Sequence, residues 1–142
     1  MDPLSRRGFL TLCSSSVLLT SLPVTWSGRT GKRHASGPGK HPDPRPGIDA
    51  SRVLTAEQIA DHPDAITAFD RVREIPQIVD GIRCHCGCAT REGFYSLLSC
   101  YEGEGMARMC EVCQGEGRLA HRLHKSGKSL AEIREAIDAR FG

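Results

Sequence analysis

Six cysteines fall between positions 84 and 113, and no other feature limits the fold of this chain as tightly. They run Cys84-His85-Cys86-Gly87-Cys88, then Cys100, then Cys110-Glu111-Val112-Cys113. Three thiols in five consecutive residues are too close along the chain to act mainly as three separate disulfide staples. They are spaced to wrap one soft metal ion or a small cluster of ions. Gly87, without a side chain, lets the backbone turn sharply while Cys86 and Cys88 aim at a shared point.

The chain divides into three parts. Residues 1–27 read as a targeting segment. Ser5-Arg6-Arg7-Gly8-Phe9-Leu10 has the pattern of a twin-arginine export signal, and an apolar stretch from Gly8 to Leu22 follows it. That stretch is short for a membrane span, which needs roughly 20 residues. Thr25-Trp26-Ser27 offers small residues for cleavage after Ser27, and an uncleaved leader would be the only contact with a membrane. Cys13 sits inside the apolar stretch behind Leu12, so it is no lipid-attachment site and leaves with the signal. The implied partner is the twin-arginine translocase, which carries folded proteins, and the implied location is the periplasm or cell surface. Residues 28–47 are rich in Gly and Pro and read as a disordered linker, because such a segment buries too little apolar surface to offset its ordering entropy. His34 and His41 are expected there as solvated histidines. Residues 48–142 form the domain.

The chain carries 19 Lys and Arg against 17 Asp and Glu, a net charge of +2. Residues 1–31 account for that excess, and the chain from residue 32 onward is neutral, which argues against nucleic acid as a partner. A domain this small often needs a metal or a disulfide set to support its core. The pattern is helical throughout: an all-α bundle of four to five helices. Thr55-Ala56-Glu57-Gln58 and Ser129-Leu130-Ala131-Glu132 are capping boxes. Asp61 or Asp64 caps a helix with Ile66, Phe69 and Val72 on one face. Pro76 breaks that helix, and Gly81 is the expected left-handed cap of the next turn. A helix over 91–101 turns Phe94, Leu97, Leu98 and Tyr101 inward. Another runs from about Met106 to Lys125 and places Cys110 and Cys113 side by side at i, i+3. His124 shares that face but lies roughly 16 Å further along the axis, too far to share a metal with Cys113.

Thiolates are soft ligands that select copper(I), zinc(II) or iron–sulfur clusters. Zinc wants four ligands at tetrahedral angles, and six cysteines exceed that need. Copper(I) accepts two or three thiolates and bridges readily between ions, so the set suits copper slightly better. An iron–sulfur cluster needs four thiolates, but the spacing matches no ferredoxin pattern. The expected ligands are Cys84, Cys86, Cys88, Cys100, Cys110 and Cys113, with His85 and Met106 as auxiliary ligands. The cysteine turn and the helix carrying Cys113 should close on one site. Two other readings stand beside metal binding: a disulfide-stapled module, and a thiol redox protein using Cys110-Glu111-Val112-Cys113. That pair lacks the βαβ surroundings of such motifs. No Ser/His/Asp arrangement or phosphate loop is present, so a binding protein is expected rather than an enzyme.

Arg83-Cys84-His85-Cys86-Gly87-Cys88, the lone Cys100, Cys110-x-x-Cys113 and the closing Gly127-Lys128-Ser129-Leu130-Ala131-Glu132-Ile133-Arg134 resemble the bacterial family named for its Pro-Cys-Tyr-Cys-Gly-Cys motif. The resemblance covers roughly residues 64–142. It implies an exported, often membrane-tethered protein, and leaves the biochemical role open. The chain departs from the motif at Arg83, where the family has Pro, and at His85, where it has Tyr. Arg83-Cys84, with Arg140-Phe141-Gly142 at the C-terminal end, is more distantly similar to the helical thiol-oxidoreductases of cytochrome c maturation. Their Arg-Cys-x-x-Cys is not reproduced here, because the second cysteine comes one residue early.

Overall fold

The computed structural model describes residues 39–142. The expected signal peptide with Arg6, Arg7 and Cys13, and the linker residues 28–38 with His34, lie outside the described residues. Among those described there are four α-helices and four short 3₁₀ turns, no β-strand, and one isolated bridge between Val53 and Glu102. The helices are α1 (Pro63–Arg73), α2 (Pro76–Asp80), α3 (Glu111–Lys125) and α4 (Leu130–Phe141). The turns are Glu57–Ile59, Cys88–Thr90, Leu97–Tyr101 and Met106–Arg108. This is the all-α architecture expected. None of the described helices is long and apolar enough to cross a membrane.

Local chemistry explains most element ends. Pro63 opens α1 at its first position, where a missing N–H costs nothing. Neither Asp61 nor Asp64 caps it, since the cap position is His62 with no side-chain bond. Arg71 and Arg73 fill the last turn, where cations suit the helix dipole. Thr55 and Gln58 exchange the two bonds of a capping box, at 2.8 and 3.3 Å. Ser129 and Glu132 do the same at the start of α4. Gly81 is a correction: its φ is −86°, so it is not a left-handed cap. It is needed for close packing instead, because a Cβ there would meet Leu130 at 2.8 Å and Pro44 at 2.9 Å.

Two expected helices are shorter than their patterns. The segment 91–101 is helical only over Leu97–Tyr101, and as a 3₁₀ turn. Gly93 takes φ +84°, which ends any helix there, and the Ser99 hydroxyl accepts from the backbone N–H groups of Tyr95 and Ser96. The expected helix from Met106 breaks at Cys110, which is extended (φ −108°, ψ 105°) and stands at the cap position of α3. The Gln114 amide donates back to the Ala107 carbonyl at 2.9 Å and holds this break in place.

Helix α3 packs against both α1 and α4. Ile59, Val72, Leu97, Leu98, Ile133 and Ile137 are fully buried between these elements. Each such side chain contributes about 1.5–3 kcal/mol by leaving water. Phe69 and Tyr101 meet edge to face, with ring centroids 4.8 Å apart.

Residues 39–47 correct the expectation of a disordered linker. They run along the domain and are pinned at three points. Arg45 donates to the fully buried Asp80 carboxylate from its backbone N–H at 2.8 Å and from its guanidinium at 2.7 Å. Arg134 donates to the Pro42 carbonyl at 2.7 Å. His41 is not solvated: its Nδ1 accepts the Arg83 N–H at 3.0 Å and its Nε2 meets Asp138 at 3.0 Å. Composition gave no hint of this, because the partners lie 35 to 97 residues away.

Candidate metal centre

The sulfurs of Cys84, Cys86, Cys88, Cys100 and Cys113 all lie within 4.8 Å of one another. Three pieces of chain deliver them. After α2, the Ile82 carbonyl accepts the Leu97 N–H at 2.7 Å, which fixes the strand-like approach to Cys84 beside the 3₁₀ turn carrying Cys100. Gly87 then takes φ +89°, the left-handed geometry that lets Cys86 and Cys88 face the same point. The Thr90 hydroxyl closes this turn on the Gly87 carbonyl at 2.8 Å. The turn of Cys100 is capped by reciprocal Ser96 and Ser99 bonds, and Ser96 donates to Asp80 at 2.8 Å. Cys113 enters from the first turn of α3, and Tyr101, next to Cys100, donates its hydroxyl to the Cys113 carbonyl at 2.7 Å. Cys100 and Cys113 are therefore held together through the Tyr101 side chain, not only through sulfur.

Cys84, Cys88, Cys100 and Cys113 are buried, while Cys86 is half-buried beside exposed Gly87. All six described cysteines are free thiols. Close sulfur pairs include Cys86–Cys88 at 3.0 Å, Cys84–Cys86 at 3.1 Å, Cys86–Cys113 at 3.3 Å and Cys84–Cys113 at 3.5 Å. The turn at 84–88 and α3 thus close on one site, as their ligand supply requires.

Charge within the group is uneven. The Cys100, Cys113 and Cys84 thiols all donate toward Cys86 and hold its pKa far below the usual thiol range. Cys88 is pushed up to about 12 by burial and by the neighbouring Cys86. Cys113 is raised by its contacts with Cys100, Cys84 and Cys86. Negative charge is therefore favoured on Cys86 over Cys88, Cys100 and Cys113. Several thiolates this close need a cation to coexist.

Cys110 stands apart from the five. It touches Cys113 and Cys86 but does not belong to the set in which every sulfur is near every other. Its extended backbone, outside α3, takes it off the helical face it was expected to share with Cys113. His85 is not placed as a ligand. Its Nδ1 meets Glu116 at 2.6 Å and its Nε2 meets Asp138 at 2.9 Å, so carboxylates occupy both ring nitrogens. The Met106 sulfur accepts from Arg91 at 3.6 Å and lines a surface groove with Leu54 and Met109. His124 is exposed on α3, as expected.

Glu116 is the residue that the sequence reading missed. It is fully buried on α3, one turn past Cys113, and contacts Cys84. One carboxylate oxygen accepts both the His85 N–H at 2.9 Å and the His85 ring, and the other has no hydrogen-bond partner. Burial raises the Glu116 carboxyl, and the bond to Glu116 raises the His85 imidazole, so both favour a proton held between them. The i+3 spacing from Cys113 was a usable signal, but a glutamate on an amphipathic helix is ordinarily read as solvent-facing. Glu116 and His85 together tie the Cys84 loop to α3.

No family model, curated protein or solved structure matches this chain. The functional reading therefore rests on the sulfur geometry. A surface groove between α3 and α4, lined by Leu119, Leu123, Ala136 and Phe141, includes none of the cysteines. The chemistry this arrangement supports is binding of a metal ion by clustered thiolates.

Proposed function

We propose that the chain is an exported metal-binding protein that holds copper(I) or zinc(II) in a cage of cysteine thiolates. One observation carries this reading: five sulfurs from three separate pieces of chain lie within 4.8 Å of one another. Disulfides join sulfurs two at a time, so a stapled scaffold has no use for Cys86 among several sulfurs at once. Copper(I) is favoured over zinc because the cage offers one thiolate more than a tetrahedral ion takes. The paired Arg6 and Arg7 support export in a folded state, with the metal loaded before translocation. Binding, not catalysis, is the role assigned.

Thiol redox chemistry is the second reading, favoured by the lowered pKa of Cys86 with Cys88 only 3.0 Å away. The two readings separate on the exported protein purified without oxygen. A metal-binding protein carries metal, and its thiols resist alkylation until a chelator is added. A redox protein carries none and titrates between thiol and disulfide at a measurable potential. Three disulfides with no metal would leave only the stapled scaffold.

A further inference from the structure

The five sulfurs are not arranged as one tetrahedral shell. In such a shell the sulfurs surround a point that belongs to the ion, and metal–sulfur bonds of about 2.3 Å separate them by about 3.8 Å. Here the sulfurs crowd closer than that, and Cys86 touches each of the other four. Cys86 Sγ lies 3.1 Å from Cys84, 3.0 Å from Cys88 and 3.3 Å from Cys113, and it contacts Cys100 as well. A thiolate with neighbours on all these sides can be the common ligand of several ions. A single tetrahedral ion takes four of the five sulfurs and leaves one outside its shell.

Ligand number points the same way. Two three-coordinate ions sharing one sulfur need five sulfurs, the number in this cage. Two tetrahedral ions sharing one sulfur need seven, more than the six that the described chain holds even with Cys110. Copper(I) is the soft ion that accepts two or three thiolates and bridges through them. Building on the metal-binding reading above, we propose that the cage holds at least two copper(I) ions and that the Cys86 thiolate bridges them. Cys84, Cys88, Cys100 and Cys113 complete the two shells, and Cys110 stays outside the minimal cluster.

The test is native mass spectrometry of the reduced mature chain, titrated anaerobically with copper(I) supplied from a competing chelator, and in parallel with zinc. Two or more coppers per chain are expected, appearing together with little one-copper species. Cys86→Ser should fall to at most one copper, while Cys110→Ser should retain two. Circular dichroism of each variant checks that the helices survive, and the stoichiometry of the parent decides the matter if Cys86→Ser does not fold. Zinc should stop at one ion, as the ligand count requires. Saturation of the parent at a single copper would overturn the bridged cluster and leave the metal-binding reading standing. So would two coppers retained by a folded Cys86→Ser. A fully reduced chain that takes up neither metal would overturn both.

Discussion

Gly117→Ala is the sharpest probe of how the fold holds Cys113 in place. Gly117 lies on α3 one turn past Cys113, where the Tyr101 ring crosses the helix. A Cβ there would collide with the Tyr101 hydroxyl, approach Val72 Cγ2 at 2.9 Å and approach Tyr101 Cζ at 3.1 Å. Tyr101 is fully buried and its hydroxyl is committed to the Cys113 carbonyl at 2.7 Å, so it cannot step aside. Overpacking of this kind costs about 1–3 kcal/mol. Losing the hydroxyl bond adds about 1 kcal/mol. Better helix propensity returns up to about 1 kcal/mol. The net loss is about 1–3 kcal/mol, and a domain of this size shifts its Tm by about 4–8 °C per kcal/mol. Gly115→Ala is the control on the same helix. Its Cβ meets only the Phe141 ring, at 3.1 Å, in the last turn of α4, where the ring has room to move. That variant should be neutral or slightly stabilised. Thermal melts of the metal-loaded variants under nitrogen read both. Gly117→Ala melting at or above the parent, or Gly115→Ala being the more damaged, would refute the packing described here.

Three further outcomes are expected. Arg45→Met removes the partner of buried Asp80 and should cost about 2–3 kcal/mol, less than a fully buried pair because Arg45 is partly exposed. Burial pushes the Asp80 carboxyl up, but the Arg45 and Ser96 bonds outweigh it and hold it below the usual range. The Arg45 contribution is therefore complete above about pH 4 and fades below it, so urea midpoints of parent and variant should converge in acid. Equal midpoints at pH 7 would show that the 39–47 segment is not held by this pair. Cys113→Ser should lower both metal content and Tm, because metal binding is also folding energy, while His124→Ala should change neither; elemental analysis and melts decide. Arg6→Lys combined with Arg7→Lys should strand the protein in the cytoplasm, and export equal to the parent on cell fractionation would remove the twin-arginine reading.

Much of the site was legible because its ligands announce themselves. Cys84-x-Cys86-x-Cys88 with Gly87 reads as a turn, and the need for further sulfur brings in Cys100 and Cys113 without knowledge of the fold. The start of α4 was legible from the Ser129–Glu132 box, whereas α1, expected to be capped by Asp61 or Asp64, begins at Pro63 with no side-chain cap. The places where reading failed share one physical cause: long-range partners overrode local preference. Residues 39–47 look disordered by composition but meet Asp80, Arg134 and Asp138 in space. Cys110 fits a helical face, yet Gln114 reaches back and draws it out of the helix. His85 looks like a ligand, but Glu116 and Asp138 take both of its nitrogens. Gly81 looks like a left-handed cap and is instead the point where Leu130 and Pro44 approach the backbone.

The most direct test of the thiolate cage is X-ray absorption at the edge of whichever metal the anaerobically purified chain carries. The first shell should be sulfur alone, at about 2.3 Å. A shell of nitrogen or oxygen at about 2.0–2.2 Å would place the metal on histidine or carboxylate and contradict the cysteine cage.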